Sequence, residues 1–102
     1  MVNSKHYDLE ARTLKFAKDV IIFTNLLPKT TASIEMVKQV IRSSGSVGAN
    51  YIEANESLGK KDFAMRIRIC RKEAKETIYW LKLVETNDSS LDTKRALYTG
   101  RY

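Results

Sequence analysis

The sequence predicts an all-α fold of antiparallel helices, and three observations support that prediction. Apolar residues recur at intervals of three and four along three long segments, which is the spacing of one helix face. The 102 residues include one proline and four glycines, so little interrupts regular structure. No segment alternates apolar and polar residues over a useful strand length. The length and the 43% apolar content suit a single globular domain, residues 1–102.

The first predicted helix covers residues 8–27 and ends before Pro28, because proline cannot continue a helix. Ala17 and Ile21 widen its apolar stripe. The stripe repeats at steps of four and three and consists of Leu9, Thr13, Phe16, Val20, Phe23 and Leu27. We expect this face to lie in the core.

The second predicted helix covers residues 31–57, and either Thr30 or Thr31 can cap its start. Two neighbouring rows of residues repeat at helical spacing. The first row contains Ile34, Val37, Ile41, Ser44, Gly48, Tyr51 and Asn55, and the second contains Met36, Val40, Val47 and Ala54. Both rows continue without a break through a segment rich in glycine and serine.

The third and fourth predicted helices cover residues 60–85 and 91–99, the last one barely two turns long. Ser89 or Ser90 can cap the fourth helix. Ile78 and Trp80 lie at the edges of the third apolar stripe, which contains Phe63, Ile67, Cys70, Ala74, Thr77, Leu81 and Val84. The connections are short, so neighbouring helices should run antiparallel.

Residues 42–57, which read RSSGSVGANYIEANES, allow two interpretations. A phosphate-binding loop would need a glycine pattern and a Lys-Ser or Lys-Thr pair that are absent here. A helix thinned for close packing fits the unbroken periodicity, although each interior glycine costs about 1 kcal/mol against alanine. The predicted helix-packing residues are Ser44, Gly45, Gly48 and Ala49. Asn50 and Asn55 are either solvated or turned inward, where they would set the register of the helices.

Residues that could carry catalysis are few, and we expect a protein that is not an enzyme and holds no metal or cofactor. The single histidine, His6, lies near the N-terminus, and Cys70 falls on an apolar stripe as a core residue. The pairs Glu53/Glu56 and Glu73/Glu76 suit solvated helix faces with ion pairs. Tyr79 and Trp80 are predicted to be packing residues.

One cysteine excludes an intrachain disulfide, which suits a reducing cytoplasm. The first residues lack the apolar stretch of a signal peptide. No apolar run approaches the length that a bilayer requires. We therefore expect a cytoplasmic protein with no membrane partner.

The net charge of +6 is concentrated on the third helix, where residues 60–82 hold eight basic and three acidic side chains, a net charge of +5. Such a row of cations can neutralise phosphates without reading bases, or it can be an ordinary solvated face. The predicted nucleic-acid-binding residues are Lys60, Lys61, Arg66, Arg68, Arg71, Lys72, Lys75 and Lys82.

From Leu14 to Val84 the sequence resembles the bacterial four-helix bundle proteins encoded within intervening sequences of the large ribosomal RNA gene. The residues that carry the resemblance are LPK at 27–29, RSSGSVGAN at 42–50, KKDF at 60–63 and KEAKETIYWL at 72–81. The resemblance implies an antiparallel up-and-down four-helix bundle and a ring-like homo-oligomer, typically a pentamer. The same fold belongs to the accessory variability protein of diversity-generating retroelements, which implies contacts with nucleic acid and a reverse transcriptase.

The resemblance also implies a long fourth helix, whereas this sequence reaches only about two turns into it, at Tyr102. A short or truncated fourth helix would leave apolar stripes of helices one and three uncovered, so we expect a partner or further chain on that side. Two hypotheses about function follow. The first is an oligomeric bundle that binds nucleic acid through its third helix. The second is an interaction scaffold whose basic face docks an acidic partner or an enzyme.

Overall fold

The computed structural model of the chain describes residues 4–99, with side chains described from residue 8 onward. It contains four helices: α1 (Ser4–Asn25), α2 (Thr31–Asn55), α3 (Lys60–Leu83) and α4 (Ser89–Thr99). No strand occurs in this part of the chain. α1 and α3 each pack on α2 and on α4, and they lie diagonally opposite one another. The predicted all-α, antiparallel four-helix bundle with a short fourth helix is confirmed.

The turn between α1 and α2 forms where the sequence predicted it. α1 ends at Asn25, two residues before the predicted end, and the N–H groups of Leu26 and Leu27 bond to carbonyls three residues back in the turn that precedes Pro28. Thr30 caps α2 in a reciprocal arrangement with Ser33. The Thr30 hydroxyl oxygen accepts the Ser33 backbone N–H at 3.1 Å, and the Ser33 hydroxyl oxygen accepts the Thr30 N–H at 3.0 Å.

The core lies where all four helices meet, at the end of the bundle that α4 covers. Its buried side chains are Phe16, Val20, Phe23, Leu27, Val40, Leu81, Val84 and Leu91. Tyr98 of α4 meets the ring of Phe23 edge-on, with centroids 5.9 Å apart. The predicted stripe of α1 therefore lies in the core over its second half.

Arg95 attaches α4 to the end of α3. Its Nη1 donates to the carbonyl oxygens of Val84 at 2.6 Å and Leu81 at 3.4 Å, and its Nη2 donates to Asp92 at 2.9 Å. The last carbonyls of a helix have no partner within it, so the guanidinium satisfies groups that α3 leaves open. At the start of α4, the hydroxyl and the backbone N–H of Ser90 bond to Asp88 and lower the pKa of that carboxyl.

The structure decides which of the two rows on α2 faces inward. In the second row, Val40 is fully buried and Ala54 is 1% exposed. Ile34 and Ile41 of the first row are 45% and 42% exposed, so this row lies toward the surface at these positions. α2 packs between α1 and α3, and the middle of its buried arc follows the second row. Phe63 belongs to the predicted apolar stripe of the third helix, but its side chain is 44% exposed.

Residues 42–55 are continuous helix, as the periodicity indicated, and no phosphate-binding loop forms there. Ser43 and Ser44 are fully buried, and their hydroxyls donate to carbonyls one turn back. Gly48 faces α1, where a Cβ atom would lie 3.1 Å from Oγ1 of Thr13. Gly45 meets open space, and Ala49 is exposed. Of the four predicted packing residues, Ser44 and Gly48 thus lie inside the bundle and the other two on its surface.

Alanine substitutions at the two helical glycines should have different effects on stability. Gly45→Ala should raise the free energy of unfolding by about 1 kcal/mol, because the new methyl group meets no neighbour and alanine favours the helix. Gly48→Ala should gain less, or lose stability, because its methyl group presses on Thr13. Urea unfolding at several protein concentrations separates this effect from any contribution of assembly. An equal gain in both variants would contradict the close approach of α1 to Gly48.

Candidate nucleic-acid interface

The eight predicted cations all lie on α3, and they differ in how far they reach into solvent. Seven are exposed, and Arg66 is half-buried. The buried side of α3 carries Cys70, Glu73, Thr77 and Leu81. At 100° per residue, Arg68, Lys72 and Lys75 lie on the opposite side of the helix. The bundle therefore presents most of its excess charge on one outward face.

Four of these cations come together around a single depression. Arg68, Arg71, Lys72 and Lys75 line a shallow cavity of about 440 Å³, together with Glu76. Lys60 and Lys61 lie at the start of α3, about 10 Å along the helix axis from Arg68, and Lys82 lies in the last turn. The structure thus divides seven of the eight predicted cations into a central cluster and two flanking positions. We call the central four residues the basic cluster.

The acidic residues next to the basic cluster are already paired with cations. Arg42 reaches across from α2, with its two terminal nitrogens each 3.3 Å from a carboxylate oxygen, one of Glu73 and one of Glu76. Lys72 Nζ lies 4.0 Å from Glu76. Glu73 is 7% exposed, so the expectation of a solvated side chain is wrong. It faces α2, from which Arg42 covers its carboxylate.

Two asparagines on α2 make contacts with the neighbouring helices. The Asn50 oxygen accepts from Arg66 Nη1 at 3.4 Å, and its amide nitrogen donates to the Ser46 carbonyl at 2.9 Å. The Asn55 amide nitrogen donates to Glu10 on α1 at 3.2 Å. Both residues are partly buried and have partners, which favours the register-setting interpretation over the solvated one. Arg66 is correspondingly turned toward α2 and away from the basic cluster.

Two adjacent aromatic residues of α3 have opposite environments. Trp80 packs against the core, as expected for a packing residue. Tyr79 is 59% exposed, so the same expectation is wrong for it. Tyr79 follows buried Thr77 by two positions, and two helical steps turn a side chain to the far side. In the sequence, the exposure of Tyr79 was indicated by its helical spacing from Lys72, Lys75 and Lys82, which places it on the same side of α3 as these cations.

A second exposed surface is apolar and lies on the outer side of α1 and α2. We call it the α1–α2 face, and define it by Leu14, Ile21, Ile34, Ile41 and Ile52, each more than 40% exposed. A groove of about 500 Å³ runs through it, and Gly45 and Ala49 lie in the groove wall. The two surface members of the predicted packing set therefore belong to this face.

Groups that could react chemically are sparse in the part of the chain described. Cys70 is buried, and burial raises the pKa of its thiol, which disfavours the reactive thiolate. Among residues 8–99, no three His, Cys, Asp or Glu side chains are placed to hold a metal ion. His6 lies outside the side chains described. None of the described helices has the length and apolar character to span a bilayer.

The four-helix fold and the basic cluster define a class of small helical bundles that carry positive charge on the outward face of one helix. The chain belongs to the 23S rRNA-intervening sequence protein family, whose model matches residues 5–96. A crystal structure from Bacteroides thetaiotaomicron, of a protein with unknown function from the S23 ribosomal protein family, is similar to it. The two are 28% identical with a TM-score of 0.69, over 94% of this chain and 92% of the other. None of the curated proteins matches the sequence.

The pairing of Arg42 with Glu73 predicts a large cost when the arginine is removed. Arg42→Ala should lower the free energy of unfolding by about 2 kcal/mol, because it leaves a buried carboxylate without its partner. Lys38→Ala, which breaks an exposed pair with Glu35, should cost no more than about 0.5 kcal/mol. Chemical denaturation measures both. If Arg42→Ala and Glu73→Gln have strictly additive effects in the double variant, the two residues are not coupled.

Proposed function

We propose that this protein is a non-enzymatic, self-associating bundle that binds the nucleic-acid backbone through the basic face of α3. The observation that carries the proposal is the basic cluster around its depression. Within the described residues, Arg68, Arg71 and Lys75 form no ion pair, while the nearby carboxylates are paired with Arg42 and Lys72. Unpaired cations that share one concave surface can each neutralise a phosphate and release counterions.

The binding should be independent of sequence. Phosphate contacts fix position on the backbone but carry no base information. Sequence readout needs side chains held rigidly against base edges in a groove, whereas the lysines and arginines on the outward face of α3 extend into solvent over several turns. The family's description associates it with intervening sequences of 23S rRNA, which favours RNA as the first ligand to test. A cytoplasmic location is part of the proposal.

Self-association is the second part of the proposal, and the α1–α2 face supports it. Five large aliphatic side chains lie exposed on one side of two neighbouring helices, beside a groove lined by small residues. A contiguous apolar surface of this kind marks an interface. The groove would let a helix of a second copy approach the α2 backbone closely. We propose a closed ring of copies, and the sequence resemblance favours a pentamer.

Reversal of three of the positive charges that line the depression should abolish nucleic-acid binding. The triple variant Arg68→Glu, Lys72→Glu, Lys75→Glu should bind neither RNA nor DNA while keeping its helicity. A matched control, Lys29→Glu, Lys38→Glu, Lys94→Glu, has the same net charge and should retain most of the affinity. For the natural protein, the logarithm of the affinity should fall linearly with the logarithm of the salt concentration, by roughly 0.7 to 0.9 per phosphate contact.

A salt-titrated anisotropy assay on material of known mass measures these affinities. Equal affinity of the triple variant and the natural protein would rule out the basic cluster. If the intact assembly binds neither RNA nor DNA at low salt, the proposal of nucleic-acid binding is contradicted. That result would favour the alternative function, a scaffold that docks an acidic partner or an enzyme such as a reverse transcriptase.

Disruption of the α1–α2 face should dissociate the assembly. The natural protein should have several times its monomer mass by light scattering at micromolar concentration. Leu14→Glu or Ile52→Glu should shift it toward the monomer, because an interface would have to bury the new carboxylate. Leu97→Glu, at a side chain of α4 that is 54% exposed, is the matched control and should leave the mass unchanged. A natural protein that is a folded monomer would contradict this part of the proposal.

A further inference from the structure

We infer that the basic face of α3 takes single-stranded nucleic acid, and that Tyr79 is the platform on which one base stacks. This inference rests on the proposed function and adds to it the class of ligand and a residue that selects it. The central observation is an aromatic ring that is 59% exposed in line with cations on a helix otherwise packed through its opposite side.

The Tyr79 ring is held in place although it is exposed. It meets Trp80 edge-on, with ring centroids 5.3 Å apart and an interplanar angle of 72°. Trp80 is itself packed against the core, so this contact connects the exposed ring to the rigid part of the bundle. Edge-to-face contact leaves a face of the tyrosine ring available for stacking. A ring already held in place loses little conformational freedom when a base stacks on it.

Cations lie on both sides of Tyr79 along the helix. Lys75 precedes it by four residues and Lys82 follows it by three, so both lie about one helical turn, roughly 5 Å, from the ring. All three side chains are exposed. Lys72 lies a further turn away and belongs to the basic cluster. A base stacked on Tyr79 would therefore have its flanking phosphates near positive charge on both sides.

An aromatic ring among cations is the arrangement that single-strand-binding surfaces use. Every unpaired base has a free face that can stack, whereas the bases of a duplex are stacked on one another and must be pulled out at a cost. The deep, narrow major groove of double-stranded RNA excludes side chains from its bases. The rival ligand is duplex DNA, whose major groove is wide enough for a helix such as α3. Tyr79 would then have no base face to contact.

The test compares single strands with duplexes of the same length, about ten nucleotides per copy of the protein. The full chain, at known mass and fixed salt, is titrated into labelled single-stranded RNA, single-stranded DNA and the two duplexes. Single strands should bind more tightly than duplexes. Tyr79→Ala should weaken single-strand binding by about 5-fold to 150-fold and change duplex binding little. Tyr79→Phe should retain the affinity for single strands, because stacking needs the ring and not the hydroxyl group.

One control variant and the pattern of outcomes keep the inference separate from the proposed function. Leu83→Ala removes another exposed apolar side chain of α3, 42% exposed, and should have no effect on binding. If single strands and duplexes bind equally and Tyr79→Ala weakens neither, the inference is overturned while backbone binding stands. If neither ligand binds the natural protein, both proposals fail. A loss of binding in Tyr79→Ala that accompanies a change in assembly mass also counts against the stacking role.

Discussion

The packing of α2 against α3 is the constraint on which the surfaces of this protein depend. Small side chains on α2 let the two helices approach, and a buried pair of hydroxyls sets their register. Ser43 and Thr77 are both fully buried, with hydroxyl oxygens 2.7 Å apart, so a shift of one helix along the other would break this hydrogen bond in the interior. Arg42 strengthens the same register through its two carboxylate partners. With Thr77 held inward, Tyr79 and the cations around it face outward.

The small residues of α2 have two different structural roles on its two sides. Gly48 allows α1 to pack closely within the bundle, while Gly45 and Ala49 lie in the groove of the α1–α2 face. A helix with two interior glycines loses intrinsic stability, and close packing on its inner side offsets that loss. Gly45 and Ala49, on the outer side, are exposed and gain no comparable packing within the described chain. That asymmetry is a physical argument for a second helix against the groove.

Most of the outward positive charge of α3 is left unpaired within the described residues because the carboxylates of that helix are paired mainly with Arg42 of α2. Glu73 faces α2 and is paired with Arg42. Glu76 lines the depression but is paired with Arg42 and Lys72, so neither carboxylate forms an ion pair with Arg68, Arg71 or Lys75. The apolar α1–α2 face and the basic face of α3 lie on different helices. The proposed self-association and phosphate binding would therefore not compete for the same surface, and a ring of copies would repeat the basic face around its circumference. Multiple weak phosphate contacts held by one assembly add to its affinity.

The sequence by itself determined the four helices, the unbroken helix through Gly45 and Gly48, and the family, and it limited the cap of α2 to Thr30 or Thr31. These features depend on local propensity and on a period that any helix of this sequence shows. It did not determine the burial of Glu73 or the exposure of Tyr79. Periodicity places a residue at an angle on its own helix, but the arc that becomes buried is set by where the neighbouring helices pack. Only the tertiary structure decided that arc, and with it which side chains a ligand or a second copy can reach.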